Sequence, residues 1–219
     1  MTALFRLDGV HFAYPGGAPV LAGADLVLRP GERLAVTGTS GAGKSTLLAL
    51  MVGLVRPNAG RVTAFGAVCR READFRAVRR RAGLLFQDPD DQLFCPLVRE
   101  DVAFGPRNLG RSRRAAATDA DAALDVVGAG HLADRVPHHL SGGEKRLVAL
   151  AGLLAMAPDV LLLDEPTAGL DPAAAERLLA ALDGRDQAMV VASHDAGARQ
   201  RLATRTLHLA DGGLHAPGA

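Results

Sequence analysis

Net charge is almost absent from this chain: 25 Lys and Arg stand against 24 Asp and Glu, a formal balance of +1 over 219 residues. Bulk electrostatic attraction to nucleic acid or anionic lipid is thereby excluded, so any phosphate binding must be local. Cysteine is scarce as well. Cys69 and Cys95 are the only two; they lack metal-ligand spacing and are too few for a disulfide framework, which fits a reducing compartment and two ordinary half-buried thiols. Long apolar runs are missing, since the longest, 147–157, stops at Pro158, well short of the ~20 residues that a spanning helix needs. Arg6 and Asp8 interrupt the N-terminus too early for a signal peptide. No internal repeat or low-complexity linker is visible. The expectation is a soluble chain that reaches a membrane only through a partner.

What is present is core-forming material, with 48% hydrophobic residues in a length that suits one substantial domain. Apolar residues alternate with polar ones around Leu7, Val10 and Phe12 and again around Leu26 and Leu28, and Pro30-Gly31 turns the chain before Leu34-Ala35-Val36. These read as short strands. Leu47, Leu50, Met51 and Leu54 fall at i, i+3, i+4 and i+7 before Pro57-Asn58, which predicts a helix. Residues 115–127 are Ala-rich with Asp119, Asp121 and Asp125 expected outward, a predicted helix within an inserted lobe. The last third alternates buried strands at 160–163, 189–192 and 206–209 with a helix over 172–182. An α/β nucleotide-binding domain follows.

Gly38-Thr39-Ser40-Gly41-Ala42-Gly43-Lys44-Ser45-Thr46 matches the phosphate-loop pattern, between an apolar strand and an amphipathic helix. Glycines let successive backbone N–H groups curl toward a β-phosphate at the positive end of a helix. Lys44 is then expected on the β- and γ-phosphates, Ser45 on Mg²⁺, and Thr46 near an α-phosphate. A second strand ends in Asp164-Glu165, carboxylates at the sheet edge where open α/β folds bind ligand. An acidic pair there is by itself often a solvated turn. Beside a phosphate loop it reads as metal holder, Asp164, and water-polarising base, Glu165.

His194 and Gln87 also follow apolar runs. Either alone reads as an ordinary polar strand end; together they are expected to face a γ-phosphate, His194 positioning it and Gln87 sensing metal and water. Leu140-Ser141-Gly142-Gly143-Glu144 opens another helical run. Ser141 and the two glycines there offer free amides to an anion, while Ser141 and Glu144 also form a capping box. Both readings are compatible.

In this order and spacing the motifs resemble the ATP-binding-cassette family over essentially the whole chain. The resemblance implies a P-loop core with a mostly parallel sheet, an N-terminal antiparallel β lobe and an inserted helical lobe. The approximate lobes are 1–33 with 61–67, 34–60 with 68–88 and 155–219, and 89–154. It implies ATP and Mg²⁺ as cofactors and a head-to-tail dimer, with a second copy or a close relative. In that dimer Ser141 and Gly143 of one subunit close on the phosphates held by Lys44 of the other. Tyr14 matches the adenine-stacking aromatic, and Asp171 the loop coupling the two sites.

Finer similarity is to energy-coupling-factor importers of the cobalt and nickel type, through Gln87-Asp88-Pro89-Asp90-Asp91-Gln92-Leu93-Phe94, Glu100 to Pro106, and Asn108-Leu109-Gly110. In that group the segment receives a transmembrane scaffold protein, and a separate membrane protein captures the substrate. The resemblance implies a peripheral protein on the cytoplasmic face of the inner membrane and a minimal cassette with no C-terminal extension. Two departures stand out: Leu147, where a basic residue is usual, and Leu97, where threonine is common. Other readings are a vitamin importer, or an ATPase acting on ribosomes or DNA. The latter would draw on the basic run from Arg70 to Arg81, which Glu72 and Asp74 interrupt and no aromatic ladder accompanies; no nucleic-acid partner is expected.

Overall fold

The computed structural model describes residues 2–216. Its elements in chain order are β1 (Phe5–Ala13), β2 (Pro19–Leu28), β3 (Arg33–Thr37), α1 (Lys44–Met51), β4 (Ala59–Ala64), β5 (Ala67–Val68), α2 (Glu72–Arg79) and β6 (Ala82–Leu85). They continue with α3 (Val98–Asn108), α4 (Arg113–Val126), α5 (Gly142–Ala155), β7 (Val160–Asp164), α6 (Pro172–Leu182), β8 (Ala188–Ala192), α7 (Ala196–Leu202), β9 (Arg205–Ala210) and β10 (Gly213–His215). Two compact units form: one from the chain up to Leu84 with Asp159–Asp164 and the part from Asp186 onward, the other from Leu85–Pro158 with Glu165–Arg185.

The first unit holds two sheets, ordered β2-β1-β4-β5 and β10-β9-β3-β8-β7-β6. In β1 the buried residues Phe5, Leu7, Val10 and Phe12 skip a beat between Leu7 and Val10, where the pairing to β2 shifts register; the alternation seen in the sequence resumes beyond it. Every residue of β7 and β8 is buried, as expected of parallel strands covered on both faces. One cluster of Phe5, Leu34, Leu47, Leu50, Phe75, Leu162 and Val190 fills the unit, each large side chain worth roughly 1.5–3 kcal/mol of burial. The register sets the chemistry: Val36 pairs with Ala192, and Ala192 with Asp164. Three parallel strands thus end level, just before Gly38, His194 and Glu165.

The predicted helix after the phosphate loop is shorter than its apolar stripe. It stops at Met51, and Leu54 is 50% exposed beyond it. Gly53 turns the chain with φ 71°, and a Cβ there would lie 2.2 Å from the Phe75 ring, so packing by α2 ends the helix before Pro57 is reached.

The second unit is helical. In α4, Ala116, Ala120, Ala123 and Leu124 face inward; Asp121 and Asp125 are exposed, whereas Asp119 is half-buried against Arg111, at 2.8 Å. Leu97 caps α3 without a side-chain bond; instead the carbonyls of Arg135 and Ala133 accept from Val98 and Arg99 N–H. The unit spans more than the expected 89–154, because α6 packs with α5: a Cβ on Gly143 would sit 3.6 Å from both Ala174 and Leu170 side chains. β4 likewise starts at Ala59 and β5 ends at Val68, so the antiparallel lobe overruns its expected boundaries at 61 and 67.

Candidate active site

In the first unit the loop between β3 and α1 winds through Gly38, Gly41 and Gly43 at φ 150°, 79° and 103°. At Gly43 a Cβ would meet Val20 Cγ1 at 2.6 Å, and at Gly38 it would meet the Leu209 carbonyl at the same distance. No side chain caps α1, so its first-turn amides are open to an anion. Lys44 is 7% exposed and lies back across the loop, donating to the carbonyls of Gly38 (2.9 Å) and Thr39 (3.1 Å) and meeting His194 Nε2 at 3.1 Å. An ammonium can only donate, so Nε2 is the acceptor and the imidazole proton sits on Nδ1. Thr39, Ser40 and Ser45 are exposed and Ala42 is half-buried. Thr46 is 7% exposed and shares a 3.2 Å hydrogen bond with the Tyr14 hydroxyl.

Tyr14 is 48% exposed and stands edge-on to Phe12, ring centres 4.9 Å apart. Its ring is therefore held beside the loop by Phe12 and Thr46 while about half of the residue stays exposed. His194 is fixed from both sides in sequence. Asp195 N–H donates to Ser193 Oγ at 3.1 Å, Asp195 Oδ1 caps α7 by accepting from Gly197 and Ala198, and Arg199 donates to the Ser193 carbonyl at 2.9 Å. Ser193, only 1% exposed, escaped the sequence reading; its signal was a small polar residue between an apolar run and a histidine. Asp164, 5% exposed, ends β7. Its carboxylate and the Ser45 hydroxyl are hard oxygen donors, a set that fits Mg²⁺.

The second unit carries Gln87, Ser141, Gly142, Gly143, Glu165 and Asp171. Gln87 is exposed, and its carbonyl accepts from Arg146 Nη2 at 2.6 Å. Glu165 adopts φ 45°, an unusual left-handed backbone for a non-glycine, and its carbonyl accepts from Arg146 Nη1 at 2.6 Å. Ser141 closes a capping box: its N–H and Oγ both donate to Glu144 Oε2 at 2.8 Å, and Glu144 N–H returns to Oγ at 3.3 Å. These bonds, the backbone one first, hold the Glu144 carboxyl below its usual range. Asp171 caps α6, accepting from Ala174 N–H at 2.9 Å.

Three of the six arginines of the basic run are engaged with neighbouring acids: Arg71 meets Asp74 at 3.7 Å, Arg79 pairs with Glu72, and Arg81 meets Asp159 at 2.6 Å. The positive charge of the run is thus partly neutralised by its acidic neighbours. Both cysteines are free thiols. Burial, then Asp101, pushes the Cys95 thiol up to about 11, so it stays protonated and weakly nucleophilic at neutral pH. Among the described residues no helix is long and apolar enough to cross a membrane.

The family model described as "ABC transporter" matches residues 21–168, well over half of the chain. The chain belongs to that ATP-binding-cassette family. Within it, the type is that of the energy-coupling-factor ATP-binding proteins. The cobalt import ATP-binding protein CbiO of Rhodobacter capsulatus is 46% identical over 100% of this chain and 80% of its own. The nickel import ATP-binding protein NikO of the same organism is 45% identical over 100% and 90%. Among solved structures, cbiO1 of Clostridium perfringens, described as part of the ABC transporter complex cbiONQ, aligns with TM-score 0.84 and 32% identity over 98% of this chain and 87% of that one. This cassette is accordingly an ATP hydrolase with the α/β fold of its family, a mostly parallel P-loop sheet accompanied by an antiparallel β lobe and helices.

Proposed function

We propose that this cassette energises import of a cobalt- or nickel-type ion, working at the cytoplasmic face of the membrane as a head-to-tail dimer whose sites are each built from two subunits. The observation that carries the shared site is a difference in what the glycines answer to. Gly142 has nothing within 4 Å of an added Cβ, Gly143 meets only ordinary contacts, and neither has a positive φ. Their own chain does not require glycine there. A nucleotide brought against the turn by a second subunit does, since the open amides at the start of α5 can then approach its γ-phosphate.

In this reading Lys44 exchanges one of its present acceptors for a phosphate oxygen, and His194, held by Ser193 and Asp195, positions the γ-phosphate. Ser45 and Asp164, with Gln87, would hold Mg²⁺, which when bound neutralises charge on the β- and γ-oxygens. Glu165 directs the attacking water in line and takes its proton, and Tyr14 stacks on the adenine. The segment 87–110 faces the membrane scaffold. In support, Phe94 and Phe104 are 63% and 43% exposed and pack edge-on at 4.8 Å, an apolar knob of the kind buried at interfaces. A separate membrane protein would capture the ion.

Replacing Glu165 by Gln is the test. Hydrolysis should fall by about 10² to 10⁴ while ATP binding and dimer formation persist; turnover at the parental rate would remove Glu165 from the mechanism. In the complete membrane complex, cobalt and nickel uptake should both be assayed with this variant, and uptake of neither ion by the parent would redirect the substrate to another micronutrient.

A further inference from the structure

Arg146 is 6% exposed, and the two ends of its guanidinium serve two different backbones: Nη1 reaches the Glu165 carbonyl and Nη2 the Gln87 carbonyl, each at 2.6 Å. A planar guanidinium has a fixed separation between its two outer nitrogens, so two short charge-assisted bonds set the spacing of the groups that accept them. The acceptors are the carbonyls of the two residues read above as water-directing base and metal-sensing glutamine. Arg146 itself lies in the second turn of α5, whose first turn is the Ser141–Gly143 signature.

Two further bonds fasten the glutamine loop to that helix. Lys145 Nζ meets Asp90 Oδ1 at 2.6 Å. Gln92 accepts from Phe86 N–H at 3.3 Å through Oε1 and donates to the Ala149 carbonyl at 3.1 Å through Nε2. Residues 86–92 are thus tied to α5 at positions 145, 146 and 149. Arg146 extends the tie to Glu165, whose left-handed backbone needs its surroundings to hold it.

We propose that Arg146 is a positioning residue for hydrolysis: its guanidinium locks the backbones of Gln87 and Glu165 to the signature helix, so that engagement of Ser141, Gly142 and Gly143 sets where the Glu165 carboxylate lies. The proposal rests on the roles given to Glu165 and Gln87 above. It assigns Arg146 no contact with nucleotide, and its effect is on kcat. A misplacement of about 1 Å at a reacting group costs on the order of 10²-fold in rate, so a loosened tie is enough to be seen.

Arg146→Lys keeps a buried positive charge but loses the planar fork; Arg146→Met keeps only the apolar stem. Both are measured for kcat, KM for ATP, thermal midpoint and amide exchange of residues 86–92 and 165–168. If Arg146→Met does not fold, Arg146→Lys decides alone. The expected result is a kcat lowered by about tenfold or more with KM within about twofold, together with faster exchange in both segments. A folded variant with unchanged kcat, or with kcat and KM altered in step with lost stability, overturns the proposal.

The double variant Arg146→Lys with Glu165→Gln separates the two readings. If Arg146 acts through Glu165, the double is no slower than Glu165→Gln alone; additive losses mean that Arg146 acts by another route, and the proposal fails. Parental turnover in Glu165→Gln alone would instead sink the role of Glu165, and unchanged exchange at 165–168 in Arg146→Lys would sink the tie irrespective of that role.

Discussion

The phosphate loop and the signature turn are both glycine-rich starts of helices, and they use glycine for opposite reasons. Around Gly38 and Gly43 the chain itself leaves no room: a Cβ would approach Leu209 and Val20 within 2.6 Å. Around Gly142 nothing lies within 4 Å of an added Cβ, and around Gly143 the Ala174 and Leu170 side chains lie at an ordinary 3.6 Å. The first turn needs glycine for its own fold; in the proposed dimer the second needs it for a nucleotide that arrives from outside. Their helix caps differ in parallel, since α1 has no side-chain cap and α5 is closed by Ser141 and Glu144. On the proposed shared site, motif glycines divide into those that a single chain explains and those that a partner explains.

The largest effect should come from setting Gly43→Ala beside Gly142→Asp. Gly43→Ala forces a clash and a strained φ, so ATP affinity measured by calorimetry should fall by at least about 10². Gly142→Asp should keep ATP affinity and fold, with a gain of about 0.3–1 kcal/mol from an acid in the first turn of α5. Its hydrolysis should nonetheless collapse by about 10² or more, because the carboxylate repels the incoming phosphates. Equal loss of nucleotide binding in both variants would erase the contrast.

A smaller effect sharpens the difference in caps. Glu144→Ala should cost about 1 kcal/mol of stability in denaturant titration. The sign with pH follows from a carboxyl held below its usual range. Its contribution is present above the unfolded-state value and is lost as pH falls through the lower folded value. The parent and Glu144→Ala should therefore converge in stability at acid pH, and a gap independent of pH would contradict the assigned ionisation.

The smallest effect concerns Leu97, the α3 cap. Of the two amides that a threonine cap can serve, Arg99 N–H already bonds to the Ala133 carbonyl and Glu100 N–H to the Leu97 carbonyl, so Leu97→Thr should change the thermal midpoint only slightly, by an equivalent of under about 0.5 kcal/mol.

Much of the candidate site was legible in the sequence because its chemistry is local: a loop, a strand end and a helix start each write their needs into consecutive residues. The apolar runs before Asp164 and His194 were legible as strands, while the level pairing of Val36, Ala192 and Asp164 is set by the sheet. What escaped depends on tertiary neighbours. Leu54 continued a helical stripe by spacing, yet Phe75 from another helix fixes the end at Gly53. Arg146 received no reading from the sequence, although it shares the face of Leu150, Leu153 and Leu154 at i+4, i+7 and i+8. A charge on an apolar face was the available signal, and its meaning appeared only when two distant carbonyls were placed on it. The spread of the helical unit to α6 was likewise invisible, since nothing local tells a helix which layer it joins.

The central claim is that the phosphate loop of one subunit works with the signature turn of another. Lys44→Ala and Gly142→Asp should each abolish ATP turnover alone. Mixed, they form heterodimers in which one site pairs an intact phosphate loop with an intact signature turn, and turnover should return in the mixture. If the mixture stays as inactive as its components while heterodimers form, each chain supplies its own signature turn and the shared site is refuted.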